Sequence, residues 1–101
     1  MGLNMKMLRK MQNQMEKMQE ELGQQSVEGT AGGGAVVVTV TGHQKILSIK
    51  ITPDVVDPHD VQMLEDLILT AVNDGLAKSQ DLASKRLGSL TSGLGLNIPG
   101  F

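Results

Sequence analysis

Apolar residues recur in three rhythms along the chain, and each rhythm predicts a different element. Over residues 1–22, Met1, Leu8, Met11, Met15, Met18 and Leu22 fall at spacings of seven, three, four, three and four, with Asn4 in the one polar slot. That is an a/d heptad seam, narrower than the face of an ordinary globular helix, and it predicts a long amphipathic helix. Successive helical residues turn by about 100°. This sets Lys6, Lys10 and Lys17 opposite the seam, with Arg9 flanking them. Glu16, Glu20 and Glu21 gather toward the other end. Such a helix carries bases first and acids last, the reverse of what the macrodipole favours.

Residues 23–57 change to period two. Val36, Val38 and Val40 alternate with Val37, Thr39 and Thr41; Leu47, Ile49 and Ile51 alternate with Ile46, Ser48 and Lys50. Both runs predict strands of an antiparallel meander. A four-residue loop, Gly42-His43-Gln44-Lys45, pairs Val40 with Leu47, Val38 with Ile49 and Val36 with Ile51. A two-residue turn would instead put Lys45 opposite Val40, so side-chain matching favours the longer loop. A weaker strand over 25–30, containing Val27, joins through Gly32-Gly33-Gly34. One face of this sheet is strongly apolar.

The third rhythm is helical again. Pro53 ends the strand, since it cannot donate to a ladder. Asp57-Pro58 then reads as an N-cap followed by proline at the first helical position. Val61, Leu64, Ile68, Ala71 and Val72 form a stripe, widened by Leu67 and Leu76. Gly75 interrupts it; a helix-interior glycine costs about 1 kcal/mol relative to alanine, so a kink or break is expected there. Gly88 reads as the stop of a helical segment over 58–88. Residues 89–101, rich in Gly, Ser and Leu and without charge, read as a mobile tail.

Composition narrows the chemistry. With 101 residues the chain fits a single domain, and one this short buries only roughly 60–65% of its unfolded surface. It has no Cys, which excludes disulfides, thiol chemistry and cysteine-held metals. Its only aromatic ring of the Phe, Trp and Tyr class is one Phe, which excludes stacking platforms for unpaired bases. The longest aliphatic run, Ala35 to Val38, is far too short to span a membrane, and the N-terminus has no signal-peptide core. Lys6 stands where a myristoylation motif needs Ser or Thr. These features lead us to expect a soluble cytoplasmic protein. The net charge of −2 argues against nonspecific nucleic-acid binding by bulk charge, so local clustering must carry any such binding.

Catalytic constellations are missing. No Gly-x-Ser-x-Gly elbow occurs, and Gly32-Gly33-Gly34 lacks the Gly-Lys-Ser/Thr of a phosphate loop. His59 beside Asp60 reads as helix-start chemistry. Adjacent Glu65 and Asp66 point about 100° apart and cannot face each other as an acid/base pair. Neither an enzymatic activity nor a cofactor is expected. Scattered lysines on a helix are usually a solvated face, and a Met-rich seam usually packs on a partner helix or second subunit. Met-rich surfaces can also bind other proteins, which leaves a protein-interaction module as the alternative function.

A second copy of the chain is expected as well. Three strands and two helices make a small core, with more apolar strand residues than one helix covers. The core and dimer set is Met11, Met15, Met18, Val36, Val38, Val40, Leu47, Ile49 and Ile51.

Several stretches together resemble the YbaB/EbfC family of nucleoid-associated proteins. They are Met11-Gln12-Asn13-Gln14-Met15-Glu16-Lys17-Met18-Gln19-Glu20-Glu21-Leu22, then Val38-Thr39-Val40-Thr41-Gly42 with Leu47-Ser48-Ile49-Lys50-Ile51. The most specific is Met63-Leu64-Glu65-Asp66-Leu67-Ile68, continuing to Ala71-Val72-Asn73-Asp74; the ending Pro99-Gly100-Phe101 also fits. The resemblance implies an α+β protein with a long N-terminal helix, a three-stranded antiparallel sheet and a long C-terminal helix. It implies a homodimer through the sheet, with helices projecting like the arms of a tweezer. It further implies duplex DNA as the partner, at the nucleoid, with a role in nucleoid organisation and gene expression. The DNA-binding candidates carried over are Lys6, Arg9, Lys10, Lys17, Lys78, Lys85 and Arg86.

Overall fold

The computed structural model describes residues 4–93. It has the α+β architecture that the three rhythms predict. Helix α1 spans Met5–Gln24, strands β1, β2 and β3 span Ser26–Ala31, Val36–Thr41 and Ile46–Ile51, and helix α2 spans Val61–Gly93. A single 3-10 turn, Pro53–Val55, lies between β3 and α2. The sheet is antiparallel throughout, in the order β1-β2-β3.

Asn4 is the N-cap of α1 rather than a member of its seam. Its side-chain oxygen accepts from the Met7 N–H at 2.8 Å, satisfying a donor that the helix cannot pair internally. The helix therefore starts at Met5, and Met1 lies outside the described residues.

Between β1 and β2 the chain turns through Gly32, Gly33 and Gly34 at φ of 63°, 68° and 95°. Three successive positive φ values explain the triple glycine, because a Cβ strains the backbone in that region. The β2–β3 connection uses the expected four residues, with Gln44 in the left-handed region at φ 63°. Val36 pairs with Ile51 and Val38 with Ile49, as the alternation predicts. Val40, however, pairs with Ile46 and not with Leu47. The Thr41 hydroxyl accepts from both His43 N–H and Lys45 N–H (3.2 Å each), drawing the turn tight, and the spare residue is absorbed as a bulge.

Helix α2 begins after Asp60, whose carboxylate accepts from the Met63 N–H at 3.2 Å. Asp57, the expected cap, instead accepts from the His59 N–H in the preceding turn. The helix then runs unbroken through Gly75 and Gly88 to Gly93. Gly75 is a crossing point. A Cβ there would lie 2.8 Å from Val40 Cγ2, and one on Gly29 would lie 2.2 Å from both the Ala71 carbonyl oxygen and the Gly75 nitrogen. Backbone meets backbone at this pair, so glycine is selected by contact rather than as a breaker. Gly88 has open space around it and simply continues the helix. Residues 89–93 are thus helical, and the rest of the expected tail, 94–101, lies outside the described residues.

The core is Ala31, Val36, Val38, Val40 and Ala71, joined by half-buried Val27, Leu67, Ile68, Val72 and Leu76. Among the strands, helix α2 packs chiefly on β1 and β2. Ile49 and Ile51 face the same side as their buried partners Val38 and Val36, yet remain 45% and 36% exposed. Leu47 is more exposed still. The expected core set therefore divides. The β2 valines and Met18 are inside the chain's own core, whereas the apolar residues of β3 are uncovered.

The radius of gyration is 18.8 Å, against about 13 Å for a compact chain of this length, and the longest dimension is 68 Å. A two-helix arm explains the excess. Beyond the sheet, the last turns of α2 run beside α1: Arg86 pairs with Glu21, and Ser89 lines one cleft with Gln14, Lys17 and Met18. Rising numbers meet falling ones, so the two helices run antiparallel.

Candidate nucleic-acid interface

The arm is anchored at the end of α1 by polar contacts that its own composition does not supply. No basic residue occupies the last turn of α1. The β2–β3 turn fills that role. Gly42 N–H donates to the Leu22 and Gln25 carbonyls at 3.0 and 3.1 Å, and the His43 ring contacts the Gln19 carbonyl at 2.5 Å. A carbonyl only accepts, so this contact places the proton on His43 Nε2. Leu22 is buried against this joint. From α2, buried Ser79 donates from Oγ to the Thr41 carbonyl at 2.6 Å. Sequence reasoning passes over His43 and Ser79; a lone histidine on a turn and a serine within a helix carry no periodic signal.

The seven candidate cations separate into two kinds. Lys78 is 3.0 Å from the Asp74 carboxylate and donates to the Glu28 carbonyl at 3.1 Å. Lys85 pairs with Asp81 at 2.9 Å. Arg86 pairs with Glu21 across the two helices of the arm. Among the described residues its Nε and Gln14 Oε1 are buried without a partner, both lining a cleft of about 240 Å³. By contrast, Lys6, Arg9, Lys10 and Lys17 are all exposed, and none forms an ion pair among the described residues. The α1 cations are available to an outside anion, while those of α2 are engaged within the chain.

Charge follows the shape. Residues 26–74, the sheet with its covering helix segment, hold seven acids and two cations. The remainder holds seven cations and four acids, and residues 5–14 contain three cations and no acid. A polyanion approaching this molecule is repelled by the body and attracted to the outer part of α1.

Asp74 has a different role. It accepts from the Thr30 N–H at 3.0 Å, and this hydrogen bond, followed by the Lys78 ammonium, holds its carboxyl below the usual carboxylate range. Together Asp74 and Lys78 occupy outward backbone groups of β1. That edge of the sheet is blocked, and among the described residues no further strand pairs with the β3 edge.

This fold and charge distribution can be set beside known proteins. The model of the YbaB/EbfC DNA-binding family matches residues 1–94. The chain belongs to the YbaB/EbfC family. A nucleoid-associated protein of Chloroflexus aggregans is 57% identical over 90 residues, covering 89% of this chain and 90% of its own. One from Syntrophobacter fumaroxidans is 50% identical over 104 residues, covering 99% and 94%. A crystal structure of an uncharacterised protein from Helicobacter pylori shares the fold at a TM-score of 0.76 with 16% identity, covering 88% of this chain and 98% of that one. YbaB/EbfC membership makes this a DNA-binding, nucleoid-associated type of protein and not an enzyme. Among the described residues, no helix is long and apolar enough to cross a membrane.

Proposed function

We propose that the chain binds duplex DNA as a homodimer at the nucleoid of the cytoplasm, holding backbone phosphates with the α1 cations Lys6, Arg9, Lys10 and Lys17, and thereby organises DNA and influences gene expression. The observation that carries this reading is that, among the described residues, none of those four exposed cations forms an ion pair, on an arm projecting from an acidic body. Lys and Arg contacts to phosphate supply affinity without base readout, and the near absence of Phe, Trp and Tyr fits a paired rather than unpaired target. Lys78, Lys85 and Arg86 act in second place, because each must leave an internal acceptor before it reaches a phosphate.

Homodimerisation is supported by the uncovered apolar strip of β3. Helix geometry places Asp74 and Lys78 on the side of α2 nearest β1, so Val72, Leu76 and exposed Leu69 lie toward β3. A second copy seated there would cover Ile49 and Ile51 and bury Leu69, and a two-fold arrangement would set two arms on one particle.

The test is a duplex-binding titration comparing neutralised sets. Lys6→Gln with Lys10→Gln should weaken binding at least tenfold, and Lys85→Gln less than threefold. Equal losses would remove α1 from its leading role.

A further inference from the structure

We propose that α1 carries a second contact surface, on which the α1 of another copy packs antiparallel, so that DNA-bound molecules join arm to arm. This contact is distinct from DNA binding and forms without DNA. Helix α2 covers α1 only in part: Met18 and Leu22 are buried, whereas Leu8 and Met15 are each 39% exposed. Among the described residues, a groove beside them is lined by α1 alone, through Leu8, Met11, Gln12, Met15 and Glu16. At about 100° per residue, this strip lies about half a turn of helix from Lys6, Lys10 and Lys17. An arm with its lysines on phosphate keeps the apolar strip free, and Arg9, which flanks the lysines, exchanges phosphate for the second copy's acid where two arms meet.

The occupant follows from the strip's own pattern. Leu8 and Met15 are seven residues apart, and so are Arg9 and Glu16, with Gln12 between them. An antiparallel copy crossing at Gln12 sets Leu8 against Met15 of the second copy and Arg9 against its Glu16. The two-fold axis repeats both contacts. A surface whose apolar and charged positions match themselves under a two-fold operation is the signature of an isologous interface. Opposite charges meet, and the parallel arrangement would bring like charges together.

The chain has no cysteine, which makes cross-linking a clean readout. In the full chain without DNA, Gln12→Cys should form an interchain disulfide under mild oxidation several-fold more than Asn13→Cys, whose side chain points toward the lysine face. Adding Glu16→Arg to Gln12→Cys should lower the yield of that link several-fold, and adding Arg9→Glu as well should restore it. Repeating the experiment with Ile49→Lys, whose native mass reports on the sheet contact, separates this proposal from the homodimer through the sheet. Equal yields at positions 12 and 13 would overturn the arm contact. So would a charge swap that does not restore the link. An introduced thiol at position 12 that is shielded from alkylation yet unable to cross-link would assign the groove to the chain's own residues 94–101, and would also overturn it.

Discussion

At the scale of single residues, the fold rests on a few contacts whose loss has defined consequences. Gly29 lies directly under α2, and a methyl group there would meet backbone atoms that cannot swing aside. Gly29→Ala should therefore destabilise the chain by about 2–4 kcal/mol in chemical denaturation, the upper range for overpacking. Asp74 contributes through charge. Its folded pKa lies below the unfolded value, so its stabilisation is present above the ordinary carboxylate range and is lost as pH falls through the folded value. Wild type should be more stable than Asp74→Asn at pH 6 in thermal denaturation, and the gap should close as the pH drops below about 4. A gap that persists unchanged at pH 2 would show that Asp74 stabilises the fold by something other than its charge.

At the scale of elements, periodicity carried most of the information. The heptad seam of α1, the alternation in β2 and β3 and the stripe of α2 all became the elements they predict, although only β2 buries its apolar face fully within the chain, while β3 and the outer seam of α1 stay exposed. The differences arise where tertiary contact or local hydrogen bonding overrides pattern. Gly75 reads as a breaker in isolation, but the neighbouring Gly29 gives it a packing reason that no local window contains. Thr41 pulls the β2–β3 turn tight and shifts Ile46 opposite Val40. Asn4 and Asp60 take the caps because their carboxamide and carboxylate oxygens reach the third N–H of each helix. The candidate site was legible as a set of cations but not as two groups. Lys78, Lys85 and Arg86 are distinguished from the α1 cations by acids on other turns and helices, and Arg86 meets an acid 65 positions away. The joint at the base of the arm predicts an element-level effect. Ser79→Ala removes one of two donors to the Thr41 carbonyl, Gln44 N–H remaining at 3.0 Å, and should lower stability by about 0.5–1.5 kcal/mol. Hydrogen exchange should then accelerate in the last turn of α1 more than in β1, if the joint holds the arm to the sheet.

At the scale of the whole molecule, an acidic body carries an elongated arm with a basic outer section, and the strip along β3 awaits a cover. Ile49→Lys should remove the sheet contact, so that the folded variant sediments at a lower mass than wild type at micromolar concentration. A wild-type protein that sediments as one chain would remove the homodimer. The net charge of −2 is an average over regions of opposite sign, which is why bulk charge alone misjudges the partner. Binding through phosphates is measured most directly by its salt dependence. The logarithm of duplex affinity should fall linearly with the logarithm of salt concentration, with a slope of several units. Lys6→Gln with Lys10→Gln should reduce that slope by about 2 to 4, depending on whether one or both arms of a dimer engage. A slope unchanged by these substitutions, or no binding even at low salt, would contradict the account.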